Sequence, residues 1–227
     1  MVRTAPPPLH FCVTGESVIV LDLAQDRYFA LPVPLGAALA AIAGHGAMGR
    51  TERDTLKALV RGAASPEVFL ARSHLAEPGD PAFPACPEPE SDLMAGLSTM
   101  PVGRGAIALA ALAGLTAKGL VRFCSLRVLL TKFDTVRALP AAAGNSPDIE
   151  SIAAAFERSS LVFASDGNCL PRTMAFVWLA RKRGHDARLV LGVRNNPFSA
   201  HAWAQSGSVV LSDHLDHVRV YRPILVL

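Results

Sequence analysis

The chain has little of what several common functional classes require. Its four cysteines, Cys12, Cys86, Cys124 and Cys169, stand far apart with no Cys-x-x-Cys pair. That spacing removes zinc knuckles and small disulfide scaffolds from consideration and suits a reducing, cytoplasmic compartment. Basic side chains exceed acidic ones by only three, 22 against 19, too small an excess to specify a nucleic-acid partner without a clustered patch. The nearest approach to a patch is Arg181-Lys182-Arg183 before Gly184. It reads as the last turn of a helix, where cations meet the negative end of the helix dipole. No apolar run reaches the uninterrupted 18 or so residues of a membrane span. The most apolar stretch, AIALAALAGLTAKGLVRF, is broken by Lys118 and Arg122 and reads as a buried helix. The N-terminus, MVRTAPPPLHFCV, lacks an apolar core of signal length, and Pro6-Pro7-Pro8 would break one. A phosphate-cradling glycine loop is missing too, which argues against a Walker-type nucleotide site and leaves no directly bound cofactor or metal to expect.

What is present organises itself in two halves. Apolar side chains make up 51% of the 227 residues, enough to bury one large core or two small ones. After Pro8, short β-type runs at about 9–14, 17–23 and 27–31 are separated by Gly15-Glu16 and Gln25-Asp26, the pattern of antiparallel strands joined by tight turns. Three short helices are expected next: VPLGAALAAIAG from Val33, TERDTLKALVRG capped by Thr51, and SPEVFLARSHLAE, with Ser65 as cap and Pro66 in the first turn. Between Glu77 and Pro101 the composition shifts to six prolines and several acids, a linker signature. Beyond it helices are expected near 103–118, 120–138 and 147–158, then one after Cys169. The runs ARLVLGV, AHAWAQ and SVVLSD come last, with Gly207-Ser208 as a hairpin turn. Helices succeeded by an antiparallel sheet make an α+β domain.

The chemistry concentrates near the C-terminus. A thiol nucleophile needs an imidazole to carry its proton and a third group to fix the ring. Cys169 opens a helix, where unpaired N–H groups and the dipole favour a thiolate. His201 is the polar member of an apolar strand. A hairpin turning at Gly207-Ser208 sets Asp213 opposite His201 on one face, where its carboxylate can accept the imidazole N–H. Asp216 and His214 are alternatives for the third role. Read singly, Cys169 is a small buried hydrophobe and His201 a satisfied core residue; together the three point to cysteine-dependent acyl chemistry.

The segment CLPRTMAFVWLARKRGHDARLVLGVRNNPFSAHAWAQSGSVVLSD resembles the transglutaminase-like cysteine protease of lasso-peptide biosynthesis, the B protein. Shared features are Cys-Leu-x-Arg opening a helix, a basic helix end with Gly, the ARLVLGV strand, PFxAHAW and a later Asp. The resemblance implies a transglutaminase/papain-like α+β protease with Cys169 as nucleophile, His201 as general base and acid, and Asp213 as the orienting carboxylate. VIVLDLAQDRYFAL is similar to the small winged-helix-like leader-recognition domain that resembles the pyrroloquinoline-quinone chaperone (PqqD-like). That likeness implies a recognition domain over 1–78, a Pro-rich linker over 79–101 and a protease domain over 102–227. A precursor's leader would add as a strand beside the third strand and pack on the third helix, with Tyr28, Phe29, Leu31, Phe69, Leu70 and Ser73 as contacts. The implied function is leader removal from a ribosomally made precursor. The implied partners are the precursor peptide and an asparagine-synthetase-like cyclase, through which any ATP requirement would arise; neither nucleic acid nor a membrane span is implied. A non-catalytic leader-binding adaptor and an acyl or amide transferase are the alternatives.

Overall fold

The computed structural model describes residues 9–14, 17–31, 86–134, 149–160 and 168–227. The three helices expected between Val33 and Glu77, and with them Phe69, Leu70 and Ser73, lie outside the described residues, as do residues 79–85.

The chain is mixed α+β, and its N-terminal part is a three-stranded antiparallel sheet. Strands β1 (Leu9–Thr14), β2 (Ser17–Asp22) and β3 (Arg27–Ala30) succeed one another in spatial order, where the short alternating runs place them. Val18, Ile19, Val20 and Leu21 make β2 almost wholly buried, as expected of the central strand. The β2–β3 turn is built by side chains: Asp22 Oδ1 accepts the N–H of Ala24 (2.9 Å) and Gln25 (3.2 Å). Asp26 takes the left-handed conformation, φ 50°, which a short polar side chain tolerates. Among the described residues β3 pairs on one side only and lies at the sheet edge.

The second sheet has five strands in the order β4 (Ser91–Asp92), β7 (Val209–Val210), β6 (Ser199–Ser206), β5 (Arg188–Arg194), β8 (Arg222–Val226). Among the described residues of this sheet only the β4–β7 pair is parallel. On one face lie α1 (Arg104–Phe123), α2 (Leu126–Asp134), α3 (Ile149–Ser160) and α4 (Cys169–Lys182); a short α5 (Leu215–Val218) precedes β8. α4 is the central helix. It is apolar nearly all round and buried from Thr173 to Val177, as a helix covered by neighbours must be. Arg181 is also buried; its Nε donates to the carbonyl of Ala187 (2.7 Å) and its Nη2 to that of Leu227 (2.8 Å). The basic run therefore ends the helix as expected, but its first member is a buried tie to the C-terminus rather than a solvated charge.

Three expectations are corrected. α1 is one continuous helix to Phe123, with no break near Lys118-Gly119, because glycine weakens a helix without ending it when neighbours pack against it. Nor is α1 a buried helix. Only Ala110 and Ala117 are buried, while Leu109, Leu112, Leu115, Leu120 and Phe123 are exposed. Its contacts run to α3 and α4; by length and composition alone it could also cross a bilayer. Finally, the described part of the Pro-rich stretch is no free tether. Ser91–Asp92 pairs with β7, Leu97 is buried, and Gln205 Nε2 donates to the carbonyl of Pro87 (2.8 Å). Proline lacks a ladder N–H but keeps its carbonyl, which a buried Gln can still anchor.

The two sheets share a core. Cys12, Ile19, Leu21 and Leu23 belong to the same apolar cluster as Phe176, Leu189 and Ile224. β1 lies beside β8, and the Asp26 carboxylate accepts the N–H of Leu126 at the start of α2 (3.1 Å).

Candidate active site

Cys169 is the first residue of α4. The first N–H groups of an α-helix have no acceptor within it, and here the N–H of Leu170 and that of Ala202 on β6 reach the Cys169 sulfur, as does the side chain of His201. Burial disfavours the thiolate, but these three donors outweigh it and hold the thiol below its ordinary value. Asn168 forms no side-chain cap hydrogen bond; its carbonyl accepts the N–H of Arg172 (3.1 Å).

His201 sits on β6 opposite Gly192 of β5. Its Nε2 meets Asp213 Oδ2 at 2.5 Å, and both side chains are mostly buried. Burial alone would lower the imidazole pKa, yet the Asp213 hydrogen bond and the Cys169 sulfur raise it to about 9. Asp213 is likewise opposed by burial. The His201 bond, the N–H of His214 (2.7 Å) and the His217 ring hold it below the usual carboxylate range. One imidazole thus bridges a sulfur and a carboxylate, the arrangement in which a thiolate–imidazolium pair is favoured over the neutral pair.

The hairpin behaves differently from its expected register. The turn is Gly207-Ser208, with Gly207 at φ 54°, but the pairs are Gln205 with Val210 and Ser206 with Val209. Extending that ladder would put His214, not Asp213, opposite His201. The ladder stops instead: Leu211 N–H still reaches the carbonyl of Ala204 (2.8 Å), and the Ser212 hydroxyl then accepts the N–H of Ala204 (2.9 Å). A bend over 211–213 delivers the carboxylate. His214 and Asp216 are exposed, and Asp216 faces Arg219 at 3.7 Å, so neither takes the third position.

Several contributing residues were not among the sequence candidates. His217 Nδ1 lies 3.1 Å from both Asp213 oxygens; its spacing of four from Asp213 across the start of α5 was a usable signal. Thr173, buried one turn after Cys169, donates its hydroxyl to the carbonyl of Ala202 (3.0 Å) and ties the helix of Cys169 to the strand of His201. A hydroxyl in so apolar a helix signals a partner of this kind. Asp92 Oδ2 accepts the N–H of Leu215 (2.7 Å) and braces the segment after Asp213; nothing local in the sequence marks that contact. The ring of Tyr221 lies 5.2 Å from that of His201. His201, Asp213 and His217 offer donor atoms within 4.8 Å of one another, a set that could hold a divalent cation, although a direct hydrogen bond already joins the first two.

Residues 114–226 match the transglutaminase-like superfamily. The matched region runs from within α1 to β8 and includes Cys169, His201 and Asp213. The chain is also similar to the microcin J25-processing protein McjB of Escherichia coli, with 40% identity over 52 residues, 23% of this chain and 24% of that protein. The chain thus spans about a quarter of that relative's length in the match. No solved structure matches.

The described residues of the expected leader surface separate. Leu31 is buried and its N–H is taken by the carbonyl of Val18 (2.9 Å). Tyr28 and Phe29 are half-buried and, being adjacent in a strand, point to opposite faces. Arg27 stacks over Phe29 at 5.5 Å, whereas Tyr28 meets Phe198 at 5.8 Å.

Proposed function

We propose that the protein is the leader peptidase of a lasso-peptide maturation system, cutting the leader from a ribosomally made precursor. The observation that carries the reading is the hydrogen-bonded chain from Cys169 through His201 to Asp213. The transglutaminase-like match and the similarity to a microcin-processing protein support it. In this reading residues 1–78 hold the leader by strand addition beside β3, and residues 102–227 carry the chemistry.

The Cys169 thiolate attacks the carbonyl carbon that ends the leader, and the carbonyl π electrons move onto oxygen. Helix N-terminal N–H groups, that of Cys169 first, face this oxyanion. On collapse the C–N bond breaks and the imidazolium of His201 gives its proton to the departing amine. The ring, neutral now and steadied by Asp213, takes a proton from water as the water attacks the thioester. Leader acid leaves, and the sulfur and imidazolium are restored. The freed core amine is the group that an ATP-using, asparagine-synthetase-like cyclase would join to a side-chain carboxylate, so nucleotide chemistry stays with that partner. A cytoplasmic setting suits a free thiol.

Mass spectrometry of a precursor incubated with the protein tests the reading. Separate leader acid and core support it; a mass-shifted leader means transfer to another amine, and an intact but bound precursor means an adaptor. Cys169→Ala should abolish cleavage and leave leader affinity within about twofold, since chemistry and recognition are assigned to different parts of the chain. Processing by that variant would remove Cys169 as the nucleophile.

A further inference from the structure

The N-terminal sheet does more than share a core with the transglutaminase-like domain. The Asp26 carboxylate holds the β2–β3 turn against α2, and β3 turns the face bearing Tyr28 toward Phe198 (5.8 Å between ring centroids). Phe198 ends the β5–β6 turn, three residues before His201 on the same chain segment. Tyr28 and Cys169 pack against the same apolar cluster. We propose that Tyr28 and Phe198 form one wall of the catalytic cleft and select an uncharged, apolar substrate side chain beside the scissile bond, making Tyr28 a specificity-determining residue contributed by the leader-binding half.

Independent support comes from electrostatics. Burial, and then the nearby Cys169 sulfur, push the Tyr28 phenol up to about 12, so the ring presents a neutral face at any working pH. Two aromatic faces with no charge of their own disfavour an ionic side chain, which would lose hydration without gaining a partner. Phe29 and Arg27 lie on the other face of β3 and take no part. The edge of β3 thereby becomes continuous with the cleft, and a peptide laid along it arrives at Cys169 without a long intervening loop.

This inference rests on the peptidase reading, and its test keeps the two apart. Tyr28→Ala and Phe198→Ala are compared with wild type in three assays. On a short peptide that carries the scissile bond but no leader-docking segment, each variant should lose about 5- to 10-fold in kcat/KM, the worth of an aromatic contact, and discriminate less against Asp or Lys beside that bond. In a Cys169→Ala background, affinity for the isolated leader should stay within about twofold in Phe198→Ala, whose side chain lies outside the leader-binding strand. Alkylation of Cys169 by a bulky aromatic haloacetamide, relative to iodoacetamide, should change in both variants whether or not any precursor is cleaved. If wild type cleaves nothing yet the alkylation ratio shifts, the wall stands and the peptidase reading falls. Unaltered alkylation, or weakened leader affinity with unaltered short-peptide rates, would overturn the wall.

Discussion

Replacing Asp213 by Asn tests the electrostatic core of the site while keeping its shape. In the native protein the carboxylate bond at 2.5 Å and the sulfur together hold His201 at about 9, against an ordinary 6.5. An amide removes the carboxylate charge, and its NH2 cannot accept the imidazole N–H. If the histidine returns to its ordinary value, the protonated fraction at pH 8 falls from roughly 90% to roughly 3%, a loss of about 30-fold in the imidazolium that stabilises the thiolate and, in the proposed mechanism, protonates the leaving amine. The assay is the rate of Cys169 alkylation by iodoacetamide from pH 5 to 10, followed by kcat/KM over the same range. Wild type should show a thiolate–imidazolium plateau whose acid limb lies below the ordinary thiol value and whose alkaline limb lies near 9, both as apparent values of the coupled pair. Asp213→Asn should shift the alkaline limb of kcat/KM downward by more than one pH unit. An alkaline limb that stays near 9 would show that something other than Asp213 sustains the imidazolium.

The same titrations govern folding. Because folding raises His201, its contribution is complete below about 6.5 and fades as pH climbs through about 9; because folding lowers Asp213, its contribution fades as pH falls through the depressed folded value. Thermal melts should accordingly be highest between those limits, and Asp213→Asn should flatten the alkaline decline; an equally steep decline would contradict the assignment. Gly192→Ala would bring a Cβ to 2.5 Å from the Trp203 ring and 3.0 Å from Tyr221 Cβ. With Trp203 fully buried, overpacking should cost about 1–3 kcal/mol in a denaturant melt and disturb His201 through Tyr221; an unchanged midpoint would show that the sheet yields freely. Thr173→Val should cost about 1 kcal/mol and lower kcat more than it raises KM, because the Ala202 carbonyl loses its donor while no substrate contact is removed. A change in KM alone would assign Thr173 to binding.

The sequence reveals the N-terminal strands well and singles out the Cys169, His201 and Asp213 that the fold brings together, since alternation in LHFCVT and SVIVLD and the chemistry of Cys, His and Asp are local properties. It misleads over α1, whose leucines suggest burial although the packed stripe consists of the small residues Ala110 and Ala117. Composition reports how apolar a helix is, not which neighbours exist to cover it. The triad's pairing was legible but its route was not. A ladder counted from Gly207-Ser208 assumes that strands continue, and the Ser212 hydroxyl breaks that assumption. Thr173, Asp92 and the Pro87 carbonyl act through contacts 29 to 123 residues apart in sequence, beyond any periodicity.

Anyone wishing to express the two halves as separate polypeptides inherits a constraint from the strand at Ser91–Asp92. A cut at residue 102 would discard an edge strand, the anchor of Gln205 and the brace behind Asp213, so the transglutaminase-like piece should begin before Cys86. Even then, removing the first three strands would lay bare the cluster lined by Leu189 and Ile224. Dissected halves should therefore be co-expressed and purified as a reassociated pair.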